Sequence, residues 1–466
     1  MNRSTRLQAH LIGLLATLCM AAPAFGSDAE GPLRLDDAIP SPRISLTANH
    51  RSRFEFLSDQ FRLGQQGDDQ AFVMRTLLHG TLQPLEGITL GAELQDSRAF
   101  TSDGTLLTTT TVNAAELLRA YVDVHHDLLG GNLRLTGGRI TMDVGSRRFV
   151  ARNRFRNTIN GFTGLDAEWR SPGDDRTVLR AFWVLPVQRL PGAAQQRRLR
   201  DNAVEFDEEG LDVQLWGVFL AHQLANGLEL EHYTFGLHED DGPRRPTRDR
   251  GLYTTGGRLL RPAAKSTIDY QIEFALQWGR SRATALPADV RSLDHFAHFE
   301  HVEVGYTFDA PWRPRVALEY DYASGDEKSG DGKNGRFDTL FGARRFDFGP
   351  TGIYGPFARS NINTPGVRVQ LRPQEQVTGF VAYRAYWLAS DRDRWTTTGL
   401  VDPTGNSGSF LGHQLEFRIR WRPLPGNLQL EMGYAHLFDG EFIQQAPNSP
   451  SQGDSNYVYT QAVLRF

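Results

Sequence analysis

Arginine is the residue type in this chain whose placement could do chemistry. It recurs on the polar side of stretches in which polar and apolar residues alternate, whereas lysine is rare. A guanidinium stays charged at any relevant pH and makes paired hydrogen bonds to a carboxylate, which suits an anionic sugar polymer such as a polyuronate. The alternation places the following candidates for anion binding on one face: Arg51, Arg53, Arg75, Arg119, Arg134, Arg180, Arg368, Arg384, Arg418 and Arg420, with Arg465 near the end of the chain.

The same alternation places carboxylates on that polar face. They are Glu55, Glu93, Asp123, Asp269, Glu273, Glu303, Glu319, Glu416 and Glu431. Opposite charges on neighbouring strands stabilise a sheet, so any one of these arginines could serve only to pair with an acid across the wall. Both interpretations stay open from the sequence, and the cluster carries more weight than any single member.

The sequence contains no set of residues whose spacing predicts a catalytic site or a metal site. The chain has no Gly-x-Ser-x-Gly turn and no His-Glu-x-x-His helix. His295, His298 and His301 are close in sequence, but on a strand His298 would point away from the other two, and metal ligands must converge. The acidic stretch 321–335 lacks the alternating carboxylates of a calcium loop and is interpreted as a solvated loop. We therefore expect no catalytic residue, no metal and no cofactor.

The elements that must carry the arginines are β-strands. In "HQLEFRIRWRP" the apolar residues Leu415, Phe417, Ile419 and Trp421 alternate with polar ones, and "NLQLEMGY" repeats the pattern. Successive side chains of a strand point to opposite faces, so one face is apolar and the other polar. No stretch after residue 26 approaches the ~20 apolar residues of a membrane-spanning helix.

The breaks between strands decide the fold class. Short turns are predicted at 84–87, 130–131, 171–175, 226–227, 261–265, 309–314, 372–376 and 422–426. They alternate with longer, polar loops at 57–70, 101–113, 141–161, 189–210, 240–249, 281–292, 324–360, 391–409 and 440–454. Eight turns and nine loops separate eighteen strands. This pattern predicts an all-β protein with a single closed, antiparallel transmembrane barrel of about eighteen strands, as in the bacterial outer membrane.

The loop 141–161 is unusually basic. It contains Arg147, Arg148, Arg152, Arg154 and Arg156. If it folds into the barrel it makes an electropositive constriction, which concentrates anions. If it stays outside it meets the phosphates of lipopolysaccharide, and the sequence does not choose between the two.

The two termini fit an exported barrel. Residues 1–26 have a basic start, a short apolar run and a small-residue site, which predicts a cleaved signal peptide that contains the only cysteine, Cys19. Its removal takes away Arg3 and Arg6 and leaves a mild formal charge of −6 instead of −4. Residues 27–42 are predicted to form a periplasmic N-terminal segment and residues 43–466 the barrel. The chain ends on Phe466, an aromatic ending typical of outer-membrane barrels and understood to be their signal to the assembly machinery.

Three stretches resemble the alginate export family of barrels. They are "AELQDSRAF" at 92–100, the run from "AAELLRAYVDVHH" to "NTINGFTGLDAEW", and "LEYDYASGDEKSGDGKNGRFDTLFGARRFDFG" at 318–349. The chain departs from the family pattern at Ile140, where glutamine is usual, and at 342–344, where Pro-Thr-Asn or a similar run is expected. The resemblance implies an eighteen-stranded pore and the export of alginate or a related polyuronate.

The leading hypothesis is an outer-membrane channel for an anionic polysaccharide or oligosaccharide, and the alternative is an uptake porin for small acids or oligosaccharides. An outer-membrane enzyme is the least supported. We expect contacts with outer-membrane lipids, lipopolysaccharide and the barrel assembly machinery, and none with nucleic acid. Because every strand edge closes within one chain, we expect a monomer. The transported ligand, the direction of transport and plugging by loops are left open.

Overall fold

The computed structural model describes residues 31–466 except 40, 102–106, 174–175, 226, 243–244 and 451–452. The predicted signal peptide, residues 1–26, lies outside the described residues, as do positions 27–30 of the predicted N-terminal segment. Among the described residues, no helix has the length and apolar character needed to cross a membrane.

The chain forms one closed antiparallel barrel of eighteen long strands, and a nineteenth strand of two residues, β14, lies in a loop. The strands are β1 (Ile44–Ser58), β2 (Asp69–Leu85), β3 (Ile88–Thr101), β4 (Asn113–Leu128), β5 (Gly131–Ile140), β6 (Phe162–Arg170), β7 (Thr177–Pro186), β8 (Val213–Gln223), β9 (Glu229–Glu239), β10 (Gly251–Arg261), β11 (Ile268–Ser281), β12 (Leu293–Thr307), β13 (Arg315–Ala323), β14 (Lys333–Asn334), β15 (Ile362–Gln374), β16 (Val377–Trp387), β17 (Phe410–Leu424), β18 (Leu428–Asp439) and β19 (Ser455–Arg465). Each long strand pairs with its neighbours in sequence, and β13 pairs with β15 across the two-residue β14, which lies in the intervening loop and pairs in parallel with β12.

The predicted division into short turns and long loops is confirmed. Each of the eight turns lies at the junction of two strands, and the nine loops connect the opposite ends. The loops contain the short helices α1 (Gln196–Arg200), α2 (Arg345–Phe348) and α3 (Glu441–Gln445). A three-residue 3₁₀ helix, Asp36–Ala38, precedes the first strand.

The two faces of the wall differ as the alternation predicts. On β17, Leu415 and Phe417 are 38% and 39% exposed, whereas Gln414 and Glu416, which point inward, are only 3% exposed. Apolar side chains that remain exposed on a barrel face the hydrocarbon of the membrane. The burial of these inward residues shows that other parts of the chain pack against them inside the barrel.

The barrel closes through the pairing of β1 with β19. Arg51 lies opposite Val463, and the main chain of Phe466 exchanges two hydrogen bonds with Ala48, at 2.9 and 3.0 Å. The N-terminal segment is held at the same end, because the side chain of Asn427 exchanges hydrogen bonds with the main chain of Leu33. Both described ends of the chain therefore lie on the side of the short turns.

Candidate functional site: arginines of the barrel lumen

The basic loop 141–161 folds into the barrel. At one end of its path, Arg51 on β1 donates to the carbonyl oxygens of Arg154 and Arg156 at 3.0 and 2.9 Å. At the other, Phe149 packs against Phe235 on β9 with ring centroids 6.4 Å apart. Because β1 and β9 lie on opposite sides of the barrel, the loop crosses the lumen. Of the two alternatives for this loop, the structure therefore shows the one in which it folds into the barrel.

The long loop between β13 and β15 also enters the lumen. Its Ile353 donates a main-chain hydrogen bond to Glu55 Oε2 on β1 at 2.8 Å, and the hydroxyl of Tyr354 donates to Gln414 Oε1 on β17 at 2.8 Å. Phe337, from the same loop, packs with its ring centroid 5.9 Å from that of Phe149. The two loops together form an aromatic core inside the barrel.

Arg148 joins the first loop to the wall and to the second loop. Its guanidinium, 2% exposed, lies 2.6 Å from Glu273 Oε2 on β11 and 2.9 Å from Asp347 Oδ1 in α2. It also lies 2.9 Å from His301 Nε2 on β12. Asp347 in turn binds the buried Arg359. Charge-assisted hydrogen bonds in a dry interior are strong, so this network holds the loops in place.

Most of the predicted anion-binding arginines pair with a carboxylate. The pairs are Arg53–Glu55 (2.7 Å), Arg119–Glu93 (2.6 Å), Arg134–Glu168 (3.6 Å), Arg180–Asp166 (2.7 Å), Arg368–Glu319 (3.0 Å), Arg384–Glu319 (2.9 Å) and Arg420–Glu431 (2.6 Å). For these seven, pairing within the wall accounts for the arginine without a ligand.

Four of the predicted arginines have no carboxylate partner among the described residues, and one of them, Arg465, is exposed near the end of the chain. Arg51 and Arg75 lie directly opposite each other on β1 and β2, and both donate to carbonyl oxygens of the inward loop. Arg418 on β17 stacks on Phe380, with its guanidinium carbon 4.6 Å from the ring centroid. Like charges opposite each other on neighbouring strands are ordinarily destabilising, and here carbonyl oxygens of the loop, not a carboxylate, accept the hydrogen bonds of Arg51 and Arg75.

The five arginines of the loop have different environments. Arg148 and Arg152 are tied to acids, the latter to Glu93 at 2.8 Å. Arg154 is largely exposed and lies 2.5 Å from Asp143. Arg147 has its guanidinium carbon 5.3 Å from the centroid of the Phe346 ring. The guanidinium of Arg156 has no hydrogen-bond partner among the described residues.

Two further arginines without a carboxylate partner among the described residues lie in loops, and the sequence did not predict them as candidates. Arg62 donates to the carbonyl oxygens of Ile353 and Tyr354, and Arg344 donates to that of Phe357 at 2.9 Å. Burial, followed by the positive charges of Arg156, Arg62 and Arg359, lowers the pKa of Arg344 to about 9. Burial lowers the pKa of Arg156 to about 10, with Arg189 contributing. A bound carboxylate would relieve this repulsion, since an opposite charge favours the charged guanidinium.

One group of side chains in the interior has the composition of a metal site. His301, Asp321 and Asp347 bring potential ligand atoms within 4.8 Å of one another. Their polar atoms already bind Arg148, Arg359 and Arg384, and these guanidiniums supply the positive charge that a cation would bring. His298 lies on the opposite, outward face and binds Glu300 at 2.7 Å.

Comparison with known proteins agrees with the geometry. The family model described as alginate export matches residues 43–455. The structure of OccK9 (OpdG) from Pseudomonas aeruginosa is similar, with a TM-score of 0.56 and 12% identity over 91% of this chain and 98% of that chain.

Two more structures from the same organism resemble the chain. The outer membrane protein OpdK gives a TM-score of 0.55 and 12% identity, covering 91% of this chain and 99% of that one. OccD3 (OpdP) gives 0.54 and 13%, covering 96% and 95%. At these identities the likeness shows the fold alone. No match is found among curated proteins.

Proposed function

Because the chain belongs to the alginate export family and is an outer-membrane channel by family and fold, we propose that it exports an anionic saccharide, alginate or a related polyuronate. The observation that carries this proposal is the facing pair Arg51 and Arg75, which the protein leaves without a carboxylate. Arg156 and Arg344 extend the unneutralised positive charge into the two inward loops. A polyuronate carries one carboxylate on each sugar, so successive sugars of the polymer can bind in turn to the arginines that have no carboxylate partner.

The guanidinium chemistry favours a carboxylate over a neutral sugar. A carboxylate accepts two parallel N–H bonds from one guanidinium. These charge-assisted hydrogen bonds are stronger where the site is shielded from water, because the local dielectric constant is lower. The seven paired arginines contribute little to this selection because their charge is already neutralised. The unpaired group should therefore determine which anions bind.

A second candidate function is the passage of small acids or acidic oligosaccharides into the cell. The observation in its favour is the filled lumen, where Phe149 and Phe337 from two inward loops pack together. Loops that pack inside the lumen take up part of its cross-section, which favours a small solute over a polymer. We expect export of a polymer to involve movement of these loops.

Bilayer conductance of the refolded protein tests the proposal. We expect an anion-selective current that polyuronate blocks and a neutral polysaccharide of equal length does not. Replacing Arg75→Gln should weaken the block, because it removes unneutralised charge from the facing pair. Arg119→Gln is the matched control, since it removes the same charge from a paired position and leaves Glu93 bound to Arg152. Cation selectivity with no effect of polyuronate would refute the proposal, whereas passage of small acids without block by polymer would select the second candidate.

The route to the membrane is also proposed. We expect a mature N-terminus at Ser27 after cleavage of the signal peptide, recognition of Phe466 by the assembly machinery, and an outer rim in contact with lipopolysaccharide. N-terminal sequencing of the protein from purified outer membranes tests the cleavage. An intact Met1 in that fraction would contradict it.

A further inference from the structure

A row of polar side chains crosses the outward face of the wall from β1 to β3. The strand register places Asp96 on β3 opposite Thr76 on β2, and Thr76 opposite His50 on β1. The ring of His50 lies 2.9 Å from the hydroxyl of Thr76 and 2.9 Å from that of Ser52. Arg98, two positions after Asp96 on the same face, binds Asp96. These five residues are called the outward polar stripe.

Apolar side chains flank the outward polar stripe along each of its three strands. The exposed ones are Ile44 and Phe54 on β1, Phe72 and Leu78 on β2, and Leu94 and Phe100 on β3. Exposed apolar residues of a barrel face the hydrocarbon of the membrane. The stripe therefore lies within the apolar band of the wall. Charged side chains are rare in that position and are normally found with a partner.

The guanidinium of Arg98 is only partly satisfied within the barrel. Its Nε donates to the two carboxylate oxygens of Asp96 at 3.1 and 2.9 Å, and Asp96 also accepts from the main chain of Ala115 at 3.1 Å. The two terminal nitrogens of Arg98 have no hydrogen-bond partner among the described residues. Hydrocarbon contains no acceptor, and an unpaired polar group is costly there. The N–H donors of these two nitrogens are thus left for a partner outside the barrel.

We propose that the outward polar stripe binds a second copy of this chain, so that two barrels stand side by side in the membrane. A two-fold interface places residue i against j and j against i. An axis beside β3 therefore brings Arg98 of each protomer to Asp96 of the other, whose carboxylate accepts from the terminal nitrogens. The sequence-based expectation of a monomer rested on closed strand edges, and association through outward faces needs no edge.

The charge of the stripe favours a second copy over a lipid. It presents one guanidinium and one carboxylate, whose side chains are 36% and 41% exposed. A lipid phosphate that approached Arg98 would also meet the negative charge of Asp96, and like charges repel. A second stripe carries both signs and matches both. Thr76 and His50 add polar atoms on the neighbouring strands.

Cysteine cross-linking in outer membranes tests the interface. The only cysteine, Cys19, lies in the predicted signal peptide, so Thr76→Cys gives the mature barrel a single thiol on the stripe. We expect oxidation to produce a covalent dimer. Val304→Cys is the matched control, because Val304 is exposed on the outward face of β12, nine strands from β3 in the ring of eighteen. This control should give little or no dimer.

Charge reversal separates the contact between barrels from the ion pair within one barrel. Asp96→Arg gives a stripe with two arginines, and Arg98→Asp gives a stripe with two carboxylates. Added to Thr76→Cys, each change alone should lower the yield of dimer about tenfold, as for the loss of hydrogen bonds between charged groups. Produced together with different tags, the two variants should form a mixed dimer. An ion pair within one barrel cannot cause that recovery, because each variant lacks it.

Heat-dependent migration in gels shows which variants are folded, and the comparison of Thr76→Cys with Val304→Cys needs no charge variant. The proposal is overturned by the absence of a dimer from Thr76→Cys, by an equal yield from Val304→Cys, or by the absence of a mixed dimer from folded charge variants. Cross-linking of Thr76→Cys to a different protein, or a lipid that copurifies with the wild type and is lost in Arg98→Asp, also contradicts it. The inference concerns the outside of the wall, so block by polyuronate tests the proposed function separately.

Discussion

Replacing Asp347→Asn should weaken the network that holds both inward loops in the lumen. Asp347 accepts hydrogen bonds from Arg148 at 2.9 and 3.1 Å and also binds Arg359. It is 5% exposed, and the side chains of the two arginines are 2% exposed or less. The substitution keeps the size and shape of the side chain. It removes the one charge that faces both guanidiniums.

The magnitude follows from the burial of the network. Breaking a buried ion pair by removing one partner costs about 3–5 kcal/mol, because the remaining charge is left without a partner in a dry environment. Arg148 retains Glu273 at 2.6 Å, so the lower part of that range applies. A change of about 3 kcal/mol shifts the equilibrium between loops held in the lumen and loops released from it by roughly a hundredfold. The barrel wall itself should remain folded, since none of its ladder hydrogen bonds is changed.

Single-channel recording measures this shift. We expect Asp347→Asn to spend far more time at a higher conductance than the wild type at the same pH. Asp331→Asn is the control, because it removes one acid from the same loop at an exposed position. A folded Asp347→Asn barrel with wild-type conductance would refute the view that the network holds the loops in the lumen.

Three further predictions concern the ends of the chain and the loop between β7 and β8. Deleting Phe466 should lower the amount of folded barrel in the outer membrane, measured by heat-dependent migration in gels, and an unchanged amount would remove its role in assembly. Asn427→Ala should lower the free energy of unfolding by about 1–3 kcal/mol, because its buried side chain loses two hydrogen bonds to Leu33 at 3.0 and 2.7 Å and one to the carbonyl oxygen of Arg465 at 2.6 Å. Urea titration measures the change. Burial, followed by the charge of Glu116, raises the pKa of Asp207 to about 7. The folded state then holds this proton more tightly than the unfolded chain, so the docking of loop 187–212 should weaken as the pH rises from about 4 to 7, and protease cleavage should show this dependence in the wild type but not in Asp207→Asn.

The strand pattern was predictable because its determinants are local. Turn residues such as Pro84 and Gly87 act over a few positions, and the side-chain period of two is a property of any strand. The inward side of Arg51, Arg75 and Arg418 follows from that period alone. The family resemblance added a function but was not needed to count the strands.

The interior of the barrel was not predictable in the same way. The partners of Arg148 lie 125 and 199 positions away, at Glu273 and Asp347. Loops have no period, so nothing in the sequence assigns a direction to Arg62 or Arg344. The inward alternative for loop 141–161 was recognised but could not be selected, because its choice depends on these distant contacts.

Pairing, more than residue type, distinguishes the arginines that stabilise the wall from those that we propose to bind a substrate. Arg180 lies 2.7 Å from Asp166 and stabilises two neighbouring strands, whereas Arg51 and Arg75 face each other with no acid between them. The alternation of polar and apolar residues does not distinguish these arginines, since it shows only that each one points to the lumen side of its strand. The distinction arises when distant strands and loops come together, and it moves the candidate site from a ladder along the whole barrel to the few positions where the positive charge is unopposed. Loop 141–161 provides the carbonyl oxygens that Arg51 and Arg75 bind, so under the proposed function a substrate carboxylate must compete with this loop for the two guanidiniums.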